Sequence, residues 1–567
     1  MVFRTRKYES REIINLISAL NNLIRVSEVQ KGDYVGICMN RCPEMVASIL
    51  SCLQMNITYI PVDTELPLER IRYILKDCRM VISNGCTIEK MKEIFSDIPV
   101  VLNMDAIKEK NCISSGSLFS YPWDFSDVAY LIYTSGTTGK PKGVKITRGN
   151  LDNFINGFNE VVPITDTDRI ICIASICFDI FFVEAILPLI KGATVILADE
   201  DTQKNPRLMM KLIAMSRANI IQLTPSKALW LREVDNLFEN FKYVKTILIG
   251  AEILPRELLL SLQENTCAKI YNVYGPTETT IWACISDLTK SDYVNIGKPI
   301  KNLKIFILDE KCNIVKNGEY GQIAISGKGV GAGYYKDLQL TNKKFVFLPA
   351  ISDEIVYLTG DWGRYLANGN LECIGRIDNQ VKINGFRVEL EEIESVMMEF
   401  KSIYRAVVCK IDKCYDRLIG FYLSSERVEE DEVRRFLGNK LPGYMIPYKF
   451  VHKTEFPMTN SGKIDRNRLV SDFNMEEKET KYISQNKGSS EKNKKIVDII
   501  MENLSDLIDG DSGFTGDLTN IEIDSIKFIN LVLALEEEFN IEFEDEMLLV
   551  RAFPTVDSMV TYVESKL

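Results

Sequence analysis

The ten residues Thr134-Ser-Gly-Thr-Thr-Gly-Lys-Pro-Lys-Gly143 gather four hydroxyls, three glycines and two lysines. Glycine lets a backbone approach an anion closely, and amides, hydroxyls and ammonium groups can all donate to it, so in composition this run is a cradle for phosphate. It is not a Walker loop: Gly136 and Gly139 stand too close together, and no Ser or Thr follows Lys140. A second run, residues 170–190 (IICIASICFDIFFVEAILPLI), is long enough to cross a bilayer but is interrupted by Asp179, Glu184 and Pro188. Hydrocarbon would penalise those carboxylates heavily, so the run reads as buried core in which Asp179 needs a cation partner. A third, Ile521-Glu-Ile-Asp-Ser-Ile-Lys-Phe528, places Ser525 after Asp524 at the start of an amphipathic pattern, where an acid can cap a helix or complement its dipole. The chain has one histidine, His452, which excludes Cys2His2 zinc sites, His-Glu-x-x-His metalloproteases and most Ser-His-Asp triads.

These groups need elements to hold them. The chain has 567 residues, a prior of about four folded units at roughly 150 residues each. Between Tyr34 and about Leu371, short apolar runs (YVGICM, VVL, VAYLIYT, ATVILA, IIQLT, VKTILIG, KIYNVYG) alternate with helical patterns such as PEMVASILSCLQM and PRLMMKLIAMSRA. That alternation predicts α/β layers around largely parallel sheets, with ligands at strand ends. Residues 379–469 read as a small α+β unit opened by QVKINGFRVELEEIESVMMEF, residues 473–490 as a linker, and the rest as a helical bundle. The acidity lies in the tail: residues 491–567 hold 18 acidic and 6 basic groups, a net of −12, while residues 1–490 hold 62 basic and 61 acidic. Such a surface repels nucleic acid. Fourteen scattered cysteines form no metal or disulfide framework and read as reduced thiols. MVFRTRKYES leads into no signal-peptide core, so a cytoplasmic location without membrane attachment is expected.

Four further segments accompany the phosphate loop: Tyr271-Asn-Val-Tyr-Gly-Pro-Thr-Glu-Thr-Thr280, Tyr357-Leu-Thr-Gly-Asp-Trp-Gly-Arg364, the run Gly375 to Glu394 (GRIDNQVKINGFRVELEEIE), and Pro457-Met-Thr-Asn-Ser-Gly-Lys463. In this order and spacing they resemble the signature segments of adenylate-forming enzymes, specifically the amino-acid adenylation domains of nonribosomal peptide synthetases, over about residues 8–470. The tail resembles acyl and peptidyl carrier proteins. The resemblance implies a large adenylation subdomain over 1–378, a small mobile subdomain over 379–470, a linker over 471–490 and a four-helix carrier domain over 491–567.

It also implies roles. The loop residues Thr134, Ser135, Gly136, Thr137, Thr138, Gly139 and Lys142 would hold the phosphates of ATP. Tyr274 would lie on adenine, Asn272 would bond its edge, and Asp361 and Arg376 would bind the ribose hydroxyls. Thr277 would meet the α-phosphate and Glu278 would bind Mg2+, a hard oxygen donor for a hard cation. Lys463 would stand between the substrate carboxylate and the α-phosphate as an electrostatic catalyst. Asp378 would be the hinge about which the small subdomain swings to present the Gly385 loop. Ser525 would carry 4'-phosphopantetheine, although Glu522 stands where many carriers have glycine.

Asp179 matches the aspartate that binds the substrate α-ammonium, which favours an amino acid over an aryl or fatty acid. The remaining pocket positions by this register are Ile180, Val183, Gln222, Leu248, Gly250, Val273, Ile281 and Trp282; Trp282, Leu248 and Ile281 would fill most of the side-chain space. The set resembles glycine-activating pockets, so glycine is the first choice and alanine of either hand the next. Expected partners are this small amino acid, a phosphopantetheinyl transferase and a downstream condensation or other acyl-accepting enzyme; a small activator protein is a further partner the resemblance allows. The competing readings are an acyl- or aryl-acid ligase, a D-alanine ligase, and a scaffold without catalysis.

Overall fold

The computed structural model describes every residue except 110–121, 137–139, 233, 236, 384, 414, 425–427, 459–463, 474–490, 505–524, 540, 542, 544–552, 554 and 567. It divides into two units, Met1–Met458 and Thr459–Leu567.

In the first unit each apolar run becomes a strand. A six-stranded sheet has the order Val100–Asn103, Met80–Ser83, Tyr34–Cys38, Thr58–Val62, Val128–Thr134, Lys142–Thr147. It is parallel except for its last pair, which is antiparallel and joined by the phosphate loop. A nine-stranded sheet carries the parallel series Thr194–Leu197, Arg169–Cys172, Ile220–Leu223, Thr246–Gly250 and Lys269–Tyr274. Alternation of side chains gives this sheet two buried faces. Leu248, Tyr271 and Val273 join the largest core cluster, whereas Ile247, Ile249 and Ile270 join a second. Both faces are covered, which is why these strands read as nearly continuous apolar runs.

The segment 170–190 is core, as its composition requires. It comprises the strand Arg169–Cys172, a π-helical turn Phe182–Ile186 and the short helix Leu187–Ile190. Glu184 is buried inside it, with one carboxylate oxygen accepting from the amides of Ile173 (2.6 Å) and Ala174 (2.7 Å). Burial pushes its carboxyl up to about 7 against those two amides. Among the described residues no helix is long and apolar enough to cross a membrane.

A five-stranded antiparallel sheet follows, including Ile355–Tyr365 paired with Leu371–Arg376. Beyond Arg376 come the hairpin Gln380–Ile383/Phe386–Glu389, the helix Leu390–Met398 and a three-stranded sheet, Ile403–Lys413, Tyr415–Ser424 and Lys449–His452. The helix and sheet enclose a core of their own around Ile393, Met397, Val408 and Tyr422. The hairpin reverses through Gly385 at φ +82°, a left-handed conformation in which glycine carries no Cβ penalty. A Cβ at Gly385 would also come within 2.8 Å of the Thr224 methyl, so the hairpin tip is seated closely on the large lobe.

In the second unit the described helices are Glu491–Asn503, Ser525–Phe539 and Val556–Lys566. They share a core of Ile496, Ile500, Phe528, Leu531, Leu535, Phe553, Met559 and Val563. The fourth helix of the expected bundle would fall outside the described residues.

Candidate active site

Strand ends build the cleft. Pairing sets Gln222 opposite Leu248, Leu248 opposite Tyr271, and Gly250 opposite Val273, so these expected pocket residues lie on one face of the nine-stranded sheet. The alternation puts Asn272 and Tyr274 on the other face of the same strand. After Tyr274 the chain makes a 3-10 turn, Thr277–Thr279, then passes through Thr280 (φ +65°) and Ile281 (φ +66°). Two successive left-handed residues, both β-branched, are local strain held by surrounding packing. Thr280 is fixed by its hydroxyl donating to the Gly329 carbonyl at 2.7 Å. The strain turns Ile281 and Trp282 into the core, where Trp282 packs 6.2 Å from the Phe154 ring and 5.5 Å from Phe158.

Asp179 follows the strand Arg169–Cys172 and is buried, as are Ile180, Val183, Gln222, Leu248, Val273, Ile281 and Trp282. Its Oδ2 has no hydrogen-bond partner among the described residues. Burial pushes its carboxyl up to about 6; the Thr277 hydroxyl opposes that rise, Glu278 adds to it, and the Ile281 and Ile180 amides oppose it. Gln222 donates to the Leu223 carbonyl at 3.1 Å. Gly250 is forced by its neighbour rather than by the cleft: a Cβ there would meet the Val273 carbonyl oxygen at 2.3 Å and its side chain at 2.6 Å.

On the nucleoside side, the Tyr274 hydroxyl donates to Asp361 Oδ2 at 2.5 Å and Arg376 Nη1 donates to Asp361 Oδ1 at 2.7 Å. Arg376 also grips Asp378 through Nε (2.6 Å) and Nη2 (2.8 Å). One guanidinium therefore ties the expected ribose carboxylate to the expected hinge, in the fork geometry arginine favours. Asn272 is buried and donates to the Asn295 carbonyl at 2.8 Å.

The phosphate side is already satisfied by the protein. Thr134 ends its strand opposite Lys142. The Ser135 hydroxyl donates to the Arg387 carbonyl at 2.7 Å, the Gly136 amide to Glu392 Oε2 at 3.1 Å, and Lys142 Nζ to Glu389 Oε1 at 3.0 Å. Glu392 is also paired with Arg70 at 2.8 Å. Glu278 is fully buried; its two oxygens receive Arg387 Nη1 at 2.9 and 2.8 Å, and Tyr334 adds its hydroxyl at 2.7 Å. Burial alone would raise the Glu278 carboxyl, but Arg387 and Lys142 hold it down at about 2. The Mg2+ implied by the resemblance does not fit this arrangement, because the oxygens it would coordinate are engaged.

Thr137, Thr138, Gly139 and Lys463 lie outside the described residues, and Ser525 begins a helix but its side chain is not described. Sequence reasoning did not single out Arg387, Glu389, Glu392, Arg70 or Tyr334. A signal existed for two of them: Arg387 and Glu389 alternate with Phe386 and Val388 in a strand, the period-two pattern of a polar face.

Residues 1–335 match the profile of the AMP-binding enzymes and residues 494–563 that of the phosphopantetheine attachment site. The chain is 32% identical over 558 residues to gramicidin S synthase 1 of Brevibacillus brevis, covering 96% of this chain and 49% of that protein. It is 36% identical over 465 residues to a dimodular nonribosomal peptide synthase of Bacillus subtilis (strain 168), covering 79% and 19%. The chain thus spans half or less of the length of these relatives. Its fold is similar to that of holo-PA1221, a nonribosomal peptide synthetase protein containing adenylation and carrier domains and bound to a vinylsulfonamide inhibitor: TM-score 0.76 at 21% identity, covering 100% of this chain and 93% of that one. A large α/β lobe, a small α+β lobe seated on it and a separate helical unit make up the fold that this chain shares with that adenylation and carrier protein. This chain belongs to the AMP-binding enzyme family, and its last domain matches the phosphopantetheine attachment site.

Proposed function

We propose that the chain condenses an amino acid with ATP to aminoacyl-AMP and pyrophosphate, then passes the aminoacyl group to a 4'-phosphopantetheine thiol on Ser525. The observation that carries this reading is the buried Asp179 Oδ2, which has no hydrogen-bond partner among the described residues, close to Thr277 and Glu278. A buried carboxylate with one oxygen unsatisfied and no cation beside it among the described residues calls for a cation from outside, and an α-ammonium would supply it. An aryl or fatty acid would bury Asp179 with nothing to neutralise it. Tyr274, Asp361 and Arg376 would hold the nucleoside, and the Ser135–Lys142 loop the phosphates when the small lobe withdraws. Lys463 would stabilise the charge that accumulates as the carboxylate attacks the α-phosphorus.

Glycine is the proposed substrate, with alanine next. The fully packed Leu248, Ile281 and Trp282 support a short side-chain space. Coenzyme A would supply the prosthetic arm through a phosphopantetheinyl transferase, and a condensation or other acyl-accepting enzyme would take the thioester. Both ATP and coenzyme A are cytoplasmic metabolites, which supports a cytoplasmic site of action. Two measurements test the reading. In amino-acid-dependent pyrophosphate exchange, glycine should lead a panel that includes both alanines; preference for Phe, Leu or an aromatic acid overturns the pocket assignment. Intact-mass analysis after incubation with coenzyme A and a transferase should show a gain that Ser525→Ala abolishes; a gain that survives moves the attachment elsewhere.

A further inference from the structure

The loop that carries Asp179 is closed on itself by one side chain. Its first two amides, of Ile173 and Ala174, donate to Oε2 of Glu184 at 2.6 and 2.7 Å, across eleven and ten residues. Between those ends the chain folds through short turns: the Phe178 amide donates to the Ser175 carbonyl at 3.0 Å, Phe181 to Phe178 at 3.0 Å and Phe182 to Asp179 at 2.9 Å. Asp179 therefore stands in the middle of a closed loop. Glu184 belongs to the π-helical turn Phe182–Ile186, a widened geometry frequent at functional sites. Arg41 takes the opposite backbone groups of the same loop base. Its Nη2 donates to the Cys172 carbonyl at 2.8 Å, Nη1 to the Ala174 carbonyl at 2.5 Å and Nε to the Ala198 carbonyl at 2.7 Å. The carbonyl between them, of Ile173, accepts from Gln203. Every backbone polar group from the Cys172 carbonyl to the Ala174 carbonyl is thus held by a side chain. Arg41 and Glu184 are both buried. Arg41 stands between the strand Tyr34–Cys38 of the six-stranded sheet and the helix Pro43–Gln54, whereas the carbonyls it grips lie at the ends of two neighbouring strands of the nine-stranded sheet. One planar fork of donors sets the loop base against the other sheet, which the single ammonium of a lysine could not do. Among the described residues neither side chain hydrogen-bonds to Asp179, so any effect on the site runs through the loop.

We propose that Arg41 and Glu184 are positioning residues for the acid end of the cleft: clasping the loop base from both sides, they hold the Asp179 carboxylate, before any substrate arrives, where an α-ammonium meets it. A carboxylate already held in place loses less freedom on binding its cation than one on a mobile loop, so the clasp contributes affinity through preorganisation. The inference rests on the reading of Asp179 as the ammonium site, and its test separates the two.

Calorimetric titration of the full chain with 5'-O-(glycylsulfamoyl)adenosine and with its acetyl counterpart, which lacks only the ammonium, isolates the Asp179 contact. The unmodified chain should bind the glycyl compound roughly 30-fold or more tightly than the acetyl one, the scale of a buried charge left unpaired; equal affinities remove the ammonium site and the inference with it. Arg41→Lys and Glu184→Ala should each shrink that ratio by about tenfold, the order expected when a binding group is misplaced by less than about 1 Å, with the acetyl compound bound as before. Glu184→Gln, which keeps an acceptor oxygen for the two amides, should restore the ratio. A large ratio that both variants leave unchanged, or equal weakening of the two compounds, refutes the clasp as a positioning device and spares the ammonium site. Hydrogen–deuterium exchange of the unmodified chain reads the loop directly. Peptides covering 173–181 should exchange as slowly without ligand as with the glycyl compound, and a loop protected only after ligand is added overturns the preorganisation. That measurement needs no variant, so a misfolded Glu184→Ala leaves the test intact.

Discussion

Asp179 and Glu278 are two buried carboxylates of one cleft that feel each other's charge, yet they are held in opposite ways. Among the described residues one Asp179 oxygen has no hydrogen-bond partner, and burial raises the carboxyl to about 6. Glu278, more deeply buried, has Arg387 and Tyr334 on its oxygens and is held at about 2. Burial alone would raise both; the cation brought by the hairpin reverses the outcome at one end of the cleft only. The difference teaches which part of the site the chain completes for itself. Glu278 is neutralised from within by Arg387, whereas among the described residues Asp179 Oδ2 has no hydrogen-bond partner.

The largest expected effect comes from removing Lys463, the proposed electrostatic catalyst of the first step. Lys463→Ala should lower amino-acid-dependent pyrophosphate exchange by at least about 10²–10³-fold, the scale of losing a positioned electrostatic donor, with circular dichroism and thermal unfolding unchanged. Near-normal exchange would mean that cations already in the cleft suffice. Next in size is Asp179→Asn. Leaving a buried ammonium without its counter-charge costs about 2–5 kcal/mol, so the KM for the amino acid should rise by roughly 30-fold or more. An equal loss in KM and kcat would recast Asp179 as a structural group.

A smaller effect sharpens the same contrast through pH. On the proposed reading the ammonium would bind the ionised carboxylate, which in the free protein is present above about pH 6. The KM for the amino acid should therefore rise as pH falls through about 6, and Asp179→Asn should lose that dependence. Glu278, held at about 2, stays ionised throughout and contributes nothing to the profile. A flat wild-type profile between pH 7 and 5 would show that Asp179 is already neutralised by the protein.

The burial of Asp179 was legible in the sequence and the pairing of Glu278 with Arg387 was not. Asp179 stood out because a carboxylate in an apolar run is a local contradiction, visible within ten residues, and the strand ends carrying Gln222, Leu248 and Val273 stood out because β-branched runs mark them. The partners of Glu278 and Arg70 obey no local pattern: Arg387 lies 109 residues from the first and Glu392 lies 322 from the second. Their pairing depends on which way one lobe faces another, and residue spacing carries no information about that. Trp282 was visible as a bulky group, but its edge-on and tilted packing against Phe154 and Phe158 was not.

Gly250 is where the two kinds of legibility separate, and it yields the smallest effect. Its place among the pocket positions suggests that glycine there makes room for a substrate side chain. Geometry says that glycine makes room for the adjacent strand, since an added methyl would press on the Val273 carbonyl at 2.3 Å. A backbone atom in a paired strand cannot move aside as a side-chain tip can, so the methyl forces the strands apart. Overpacking of this kind costs about 1–3 kcal/mol. Gly250→Ala should therefore lower the thermal unfolding midpoint of the large lobe while leaving the preference between glycine and alanine in exchange assays within about twofold, since that ratio reads differential pocket contacts alone. An unshifted midpoint with alanine newly rejected would return Gly250 to the pocket wall and show that the strand pair at the acid end yields more readily than its hydrogen-bonded register implies.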